Sequence, residues 1–131
     1  MLRKTVMISA AGAAVLAMPL LAQSRTLGML EGLKPGLWEM QMRDGDRTSR
    51  RICVRTGREL LQLRHGGSKC RSVTVNDTAG EVTVQYTCPG DGYGRTSVRR
   101  ETDALVQIDS QGIAKGRPFA FAAEARRVSG C

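Results

Sequence analysis

Four cysteines, Cys53, Cys70, Cys88 and Cys131, constrain this chain more than any other feature. Their number is even, and they follow an export-type leader. In a small exported domain such a set reads as two disulfides. The leader is the order basic, apolar, small. Arg3 and Lys4 come first, residues 5–22 carry no charge, Pro19 interrupts the run, and small residues surround Ala22 and Ser24. That is the pattern of a secretory signal peptide, with cleavage after Ala22 or Ser24. The rival is an uncleaved anchor, because 18 uncharged residues just reach across a bilayer. The alanine-rich composition and the proline favour cleavage. No cysteine stands at the cleavage point, which argues against a lipoprotein anchor. The expected organisation is a signal peptide at 1–24, a short lead-in at 25–34 and one exported β domain at 35–131, located in a periplasm.

Removing residues 1–24 takes away only Arg3 and Lys4. Lys+Arg falls from 20 to 18 against 12 Asp+Glu, a net charge of about +6. A domain of this size buries a core, but a modest one. The two disulfides would each add about 2–4 kcal/mol by restricting the unfolded chain.

Alternation of apolar and polar residues marks strands along most of the domain. In "LWEMQMR" it places Trp38, Met40 and Met42 on one face. Asp44-Gly45 signals a hairpin, and "RTSRRICV" returns as the second strand. "RSVTVN" points Val73 and Val75 one way, and "EVTVQYT" does the same with Val82, Val84 and Tyr86, across a turn at 77–80. "RTSVRRE", "ALVQID" and "FAFAAEARRV" complete about seven strands. Between the second and third, Thr56 and Glu59 have capping-box spacing ahead of "ELLQLR", and Gly66-Gly67 closes the element. This predicts one short helix at about 56–65. The fold class is mainly β: an antiparallel meander closing toward a small barrel or sandwich.

Four cysteines allow three pairings, and the meander favours one. Cys70 opens one arm of a hairpin and Cys88 closes the other, at one end of the sheet. The last strand should finish at the opposite end with Cys131, and the helical segment carries the chain from Cys53 at that same end. The favoured pairs are Cys70–Cys88 and Cys53–Cys131. One conflict remains. Pairing Val75 with Val82 and Val73 with Val84 sets Cys70 and Cys88 on different faces, unless a bulge near Cys70 or an early departure of Cys88 shifts the register. A zinc site is disfavoured, because spacings of 17, 18 and 43 contain no Cys-x-x-Cys knuckle.

"LKPGLWEM", "ICVRTGREL", "CRSVTVNDTAGEVTVQYTC" and a terminal Gly-Cys stand in an order that resembles the bacterial domain-of-unknown-function family numbered 3617. The likeness runs from Lys34 to Cys131. The helix is less acidic than the family's, and "VSGC" departs from its usual ending. The resemblance implies a Gram-negative periplasmic setting and carries no activity with it.

Trp38 alternates with Met40 and Met42, so it reads first as core, anchoring a strand start. The functional alternative is an apolar ligand pocket lined by Trp38, Met40 and Met42, since methionine adapts to irregular ligands. Arg43, Arg47, Arg50 and Arg51 head a run of seven arginines and are candidate anion contacts; the plain reading is a solvated face. His65 is the only histidine. It stands at a helix end, where an imidazole beside free carbonyls is ordinary. Asp44, Asp46 and Asp91 sit in turns. "PGDGYG" lacks the following helix of a phosphate loop. Asn76 opens a sequon of no weight in a bacterium.

No catalytic residue, metal ligand or cofactor is assigned. The sequence reads as a non-catalytic binding or envelope-associated module. The partner is an apolar small molecule, an anionic envelope component or an envelope protein. Nucleic acid is excluded by export and by the absence of aromatics among the arginines. Membrane contact is confined to the signal peptide before cleavage. The alternative is an interaction or inhibitor module using a basic face, and an enzyme comes last.

Overall fold

β-branched and aromatic residues at period two favour strands that bury one face, and the computed structural model, which describes residues 27–43 and 48–131, carries seven of them. They are β1 (Gly36–Met42), β2 (Ser49–Val54), β3 (Arg71–Asp77), β4 (Glu81–Cys88), β5 (Gly92–Thr102), β6 (Leu105–Ala114) and β7 (Arg117–Ser129). All neighbours are antiparallel, in the order β2-β1-β7-β6-β5-β4-β3. Strands β3 to β7 form a meander, and the β1–β2 hairpin joins it along β7. The expected signal peptide and cleavage site lie outside the described residues, as do Asp44, Asp46 and Arg47.

The expected barrel or sandwich is not formed. The seven strands make one open sheet with β2 and β3 as its edges. The reason lies in what covers the buried face. Leu27, Met29, Leu30 and Leu33, in and around the short helix α1 (Gly28–Glu31), pack there beside Leu60, Leu61 and Leu63. These two irregular segments supply the apolar layer that a second sheet or a closed barrel would otherwise provide. From the sheet, alternate residues meet them: Trp38 and Met40, Val82 and Val84, Val106 and Ile108, Ala123 and Ala125.

The helical segment at 56–65 is present in tighter form, as two single 3-10 turns, Arg58–Leu60 and Leu63–His65. The carboxylate half of its capping box forms. The Glu59 carboxylate accepts from the Arg55 and Thr56 backbone N–H groups at 3.1 and 3.2 Å, and the Arg58 N–H reaches the Thr56 hydroxyl. An α-helix does not continue: the backbone breaks at Gln62 (φ −131°, ψ 49°).

Both disulfides pair as the topology favours. Cys70–Cys88 has a Cα–Cα distance of 4.2 Å and Cys53–Cys131 one of 5.8 Å. The register conflict disappears through a bulge, placed further along the strand than Cys70. Thr74 faces Val84 and Asn76 faces Thr83, so Val75 is the extra residue. Upstream of it Arg71 faces Thr87, which sets Cys70 in line with Cys88. The same shift overturns the expected pairing of Val75 with Val82 and Val73 with Val84, since Thr74 takes Val84 and Asp77 takes Val82. Val73 lies opposite exposed Gln85, and the two valines are 67% and 48% exposed. At the other end, the chain after β7 crosses β1 to reach Cys53. Gly36 permits the crossing, since a Cβ there would lie 2.4 Å from the Ser129 carbonyl oxygen.

Candidate binding site

Trp38 and Met40 have no exposed surface, and Met42 is half-buried against the same cluster. The indole Nε1–H donates to the Lys34 carbonyl at 3.0 Å, which satisfies its polar atom inside the core. These three side chains therefore fill space at the β1 end of the sheet.

The open space lies elsewhere. Between the edge strands β2 and β3 is a cleft of about 500 Å³. Arg50 and Ile52 form one wall and Ser72 the other, while Leu61, Leu63 and Tyr86 line it from below. Its size falls within the range of small-molecule sites. Thr56, Arg58 and Glu59 reach the rim. Burial pushes the Glu59 carboxyl up, but backbone N–H groups of Glu59, Arg55 and Thr56 and the Thr56 hydroxyl together hold it below its ordinary value. The carboxylate is thus ionised and turned toward the capping box, leaving arginine as the other charge at the rim. Sequence reasoning found Arg50 but not its surroundings. Ile52 was legible as a strand residue and Leu61 and Leu63 as helix residues. Their convergence depends on the 3-10 turns, which no local spacing announces.

The candidate arginines do not act as one patch. Arg51 pairs with Glu39 at 3.1 Å. Arg43 donates to the Gln107 side chain and lies 4.0 Å from Glu124. Glu124 is in turn held below its ordinary carboxylate range, first by Gln107 and then by Arg126. Of the three described candidates, Arg43, Arg50 and Arg51, Arg50 is the one that lines the cleft.

His65 is buried, with 1% of its surface exposed. Nε2 lies 3.1 Å from the Asp91 carbonyl oxygen and 2.9 Å from that of Ile113. Carbonyl oxygens only accept, so Nε2 carries hydrogen, and in the neutral ring Nδ1 accepts from the Tyr86 hydroxyl at 2.9 Å. The ring also meets Tyr86 and Phe119 edge-on. Burial pushes the Tyr86 phenol up, against hydrogen bonds with Ser110 and Thr96. Nearby, the Ser68 hydroxyl donates to Asp91 at 2.7 Å and holds that carboxyl below its usual range; the Lys115 backbone N–H and charge add to this. His65 thus ties the second 3-10 turn to β4, to the β4–β5 turn and to the end of β6. Both ring nitrogens are engaged in that tie, which is a structural role.

All four cysteines are in disulfides and so are not metal ligands. Two disulfides point to an oxidising compartment. Neither curated proteins nor solved structures contain a match to the chain. Its terminal cysteine, hairpin cysteines and tryptophan strand all fall within residues 33–131, which match the family described as "Protein of unknown function (DUF3617)", and the chain belongs to that family.

Proposed function

We propose that this protein is an exported, non-catalytic binding module of a Gram-negative periplasm, and that it takes an amphipathic ligand with an apolar body and an anionic end into the β2–β3 cleft. The observation that carries this reading is the cleft itself: Leu61, Leu63 and Tyr86, nearly buried, line its apolar base between the edge strands β2 and β3, with Arg50 at its wall. A guanidinium at the margin of an apolar slot suits a carboxylate or phosphate whose tail is buried. Export is supported by the basic-apolar-small leader and by the two disulfides. The buried, fully engaged imidazole of His65 supports binding over acid–base catalysis.

The test is a titration of the oxidised mature chain with dodecanoate, followed by amide chemical shifts. The reading predicts shifts concentrated at Ile52, Thr56, Leu61, Gly66 and Ser72, weakened in Arg50→Glu and lost in Ile52→Asp. No shifts, or shifts scattered over the opposite face of the sheet, would overturn it.

A further inference from the structure

The two ends of the sheet differ in charge. The β3–β4 turn, the β5–β6 turn and α1 share one end, where the Lys34 N–H bonds the Asp103 carbonyl. Asp77, Glu81, Glu101, Asp103 and Glu31 gather there among several cations, with pairs such as Lys34–Asp103 at 3.6 Å and Arg99–Glu101 at 3.9 Å. The other end holds the Cys70–Cys88 bridge, the β4–β5 turn and the β6–β7 turn. Its cations are Arg64, Lys69, Arg71, Lys115 and Arg117. Among the described residues the carboxylate at this end is Asp91, which already takes the Ser68 hydroxyl and sits in the field of Lys115.

Apolar groups stand among these cations. Tyr93 is 56% exposed, one of the four large apolar side chains most open to solvent. Pro118 is exposed and Phe119 half-buried; with Arg64, Lys115 and Arg117 they line a broad depression of about 840 Å³. The Arg64 guanidinium lies 5.9 Å from the Phe119 ring centre and 5.7 Å from that of Phe121, so its charged head rests on aromatic surface. A soluble polyanion would meet the charge alone. Tyrosine and ring-stacked arginine set beside lysine suit an interface that is apolar below and phosphate-bearing above.

We propose that this end of the sheet docks on the surface of an anionic phospholipid bilayer. Tyr93 and Phe119 lie at headgroup depth, and Arg64, Lys115 and Arg117 rest against lipid phosphates. Sequence alone confines membrane contact to the leader. The structure adds a folded surface, made by bringing residue 64, residue 93 and residues 115–119 together from three separate parts of the chain.

The test is vesicle sedimentation of the oxidised mature chain, using phosphatidylcholine vesicles with and without phosphatidylglycerol. The variants are Lys115→Glu/Arg117→Glu, Tyr93→Ser, and Arg99→Glu/Arg126→Glu as a control of equal charge change away from this end. Intact disulfide masses and Trp38 emission check folding in each. The proposal predicts binding to phosphatidylglycerol vesicles only. Each cation at a lipid surface is worth roughly fivefold in partitioning, so the first double variant should lose at least about 25-fold. Tyr93→Ser should bind more weakly at unchanged charge, and the control should stay close to wild type. No binding, equal binding to neutral vesicles, or equal losses in the two double variants would overturn it; the last outcome would mark a general polyanion attraction without a docking face.

Discussion

The phenol of Tyr86 occupies the space where a side chain at position 94 would stand. A Cβ built on Gly94 would lie 2.4 Å from Tyr86 Oη and 2.5 Å from its ring carbon Cζ. The two residues face each other across the β4–β5 ladder, and Gly112 and Phe119 continue the row on β6 and β7. Two adjacent glycines weaken a sheet, and a ring laid over them restores contact. Gly94→Ala should therefore displace Tyr86 from His65. Overpacking of this kind destabilises by about 1–3 kcal/mol, read as a lower midpoint in urea. An unchanged midpoint would show that the ring moves freely.

Tyr86→Phe separates the hydroxyl from the ring. It leaves packing in place but removes the donor to buried His65 Nδ1. A buried acceptor without a partner costs about 1–3 kcal/mol. The expected urea midpoint is lower than wild type, and the His65 ring signals should shift in a nitrogen-15 spectrum. A neutral substitution would mean that another group reaches Nδ1.

The two disulfides should differ in worth. Cys70–Cys88 closes 18 residues and Cys53–Cys131 closes 78. Loop-closure entropy then assigns about 3 kcal/mol to the first and about 4.5 kcal/mol to the second. Cys53→Ser/Cys131→Ser should lower the thermal midpoint more than Cys70→Ser/Cys88→Ser. Calorimetry of the two variants decides, and the reverse order would contradict the assignment.

Stability should fall in acid for a reason that can be located. The folded-state pKa of Asp91 is depressed, chiefly by the Ser68 hydroxyl. A depressed carboxylate contributes stability above its unfolded pKa and loses it as pH falls through the folded value. Its contribution is thus complete at neutral pH and disappears below about pH 4. Glu59 and Glu124 carry the same sign. A carboxyl titration by NMR should show Asp91 titrating below its usual range, and Ser68→Ala should bring it back up. Indifference to that substitution would remove Ser68 as the cause.

Much of the fold was legible because one face of each central strand must be buried. Val82, Val84 and Tyr86 announce β4 and all three are buried, with Thr83 between the valines buried as well. The cysteine pairs followed from which ends of strands share an edge of the sheet. The β3 strand itself was legible, but its register was not. "SVTV" alternates perfectly, yet Val75 is a bulge residue and Val73 faces outward. An extra residue changes which side chains face inward without changing the local pattern, so periodicity cannot detect it. Trp38 was legible as core from its stripe. The cleft was not, because it is made by two edges remote in sequence and by two leucines, Leu61 and Leu63, from a segment where 3-10 turns replace an α-helix.

The bulge makes a prediction that the alternating pattern does not. Deleting Val75 would make Thr74 and Asn76 consecutive, opposite Val84 and Thr83, in an unbroken ladder. Cys70 would stay in line with Cys88. The deletion variant should fold and form both disulfides by mass spectrometry. Failure to form Cys70–Cys88 would contradict the register.

The central claim is that the β2–β3 cleft holds an amphipathic anion in an exported, disulfide-locked domain. Native mass spectrometry of protein exported to a bacterial periplasm, purified without reductant, tests it most directly. The account predicts a mass starting near Gln23 or Arg25, four hydrogens short of the reduced chain, with a bound anionic species that is absent from the Ile52→Asp variant. A wild-type mass with no bound species, or one retained equally by Ile52→Asp, would contradict it.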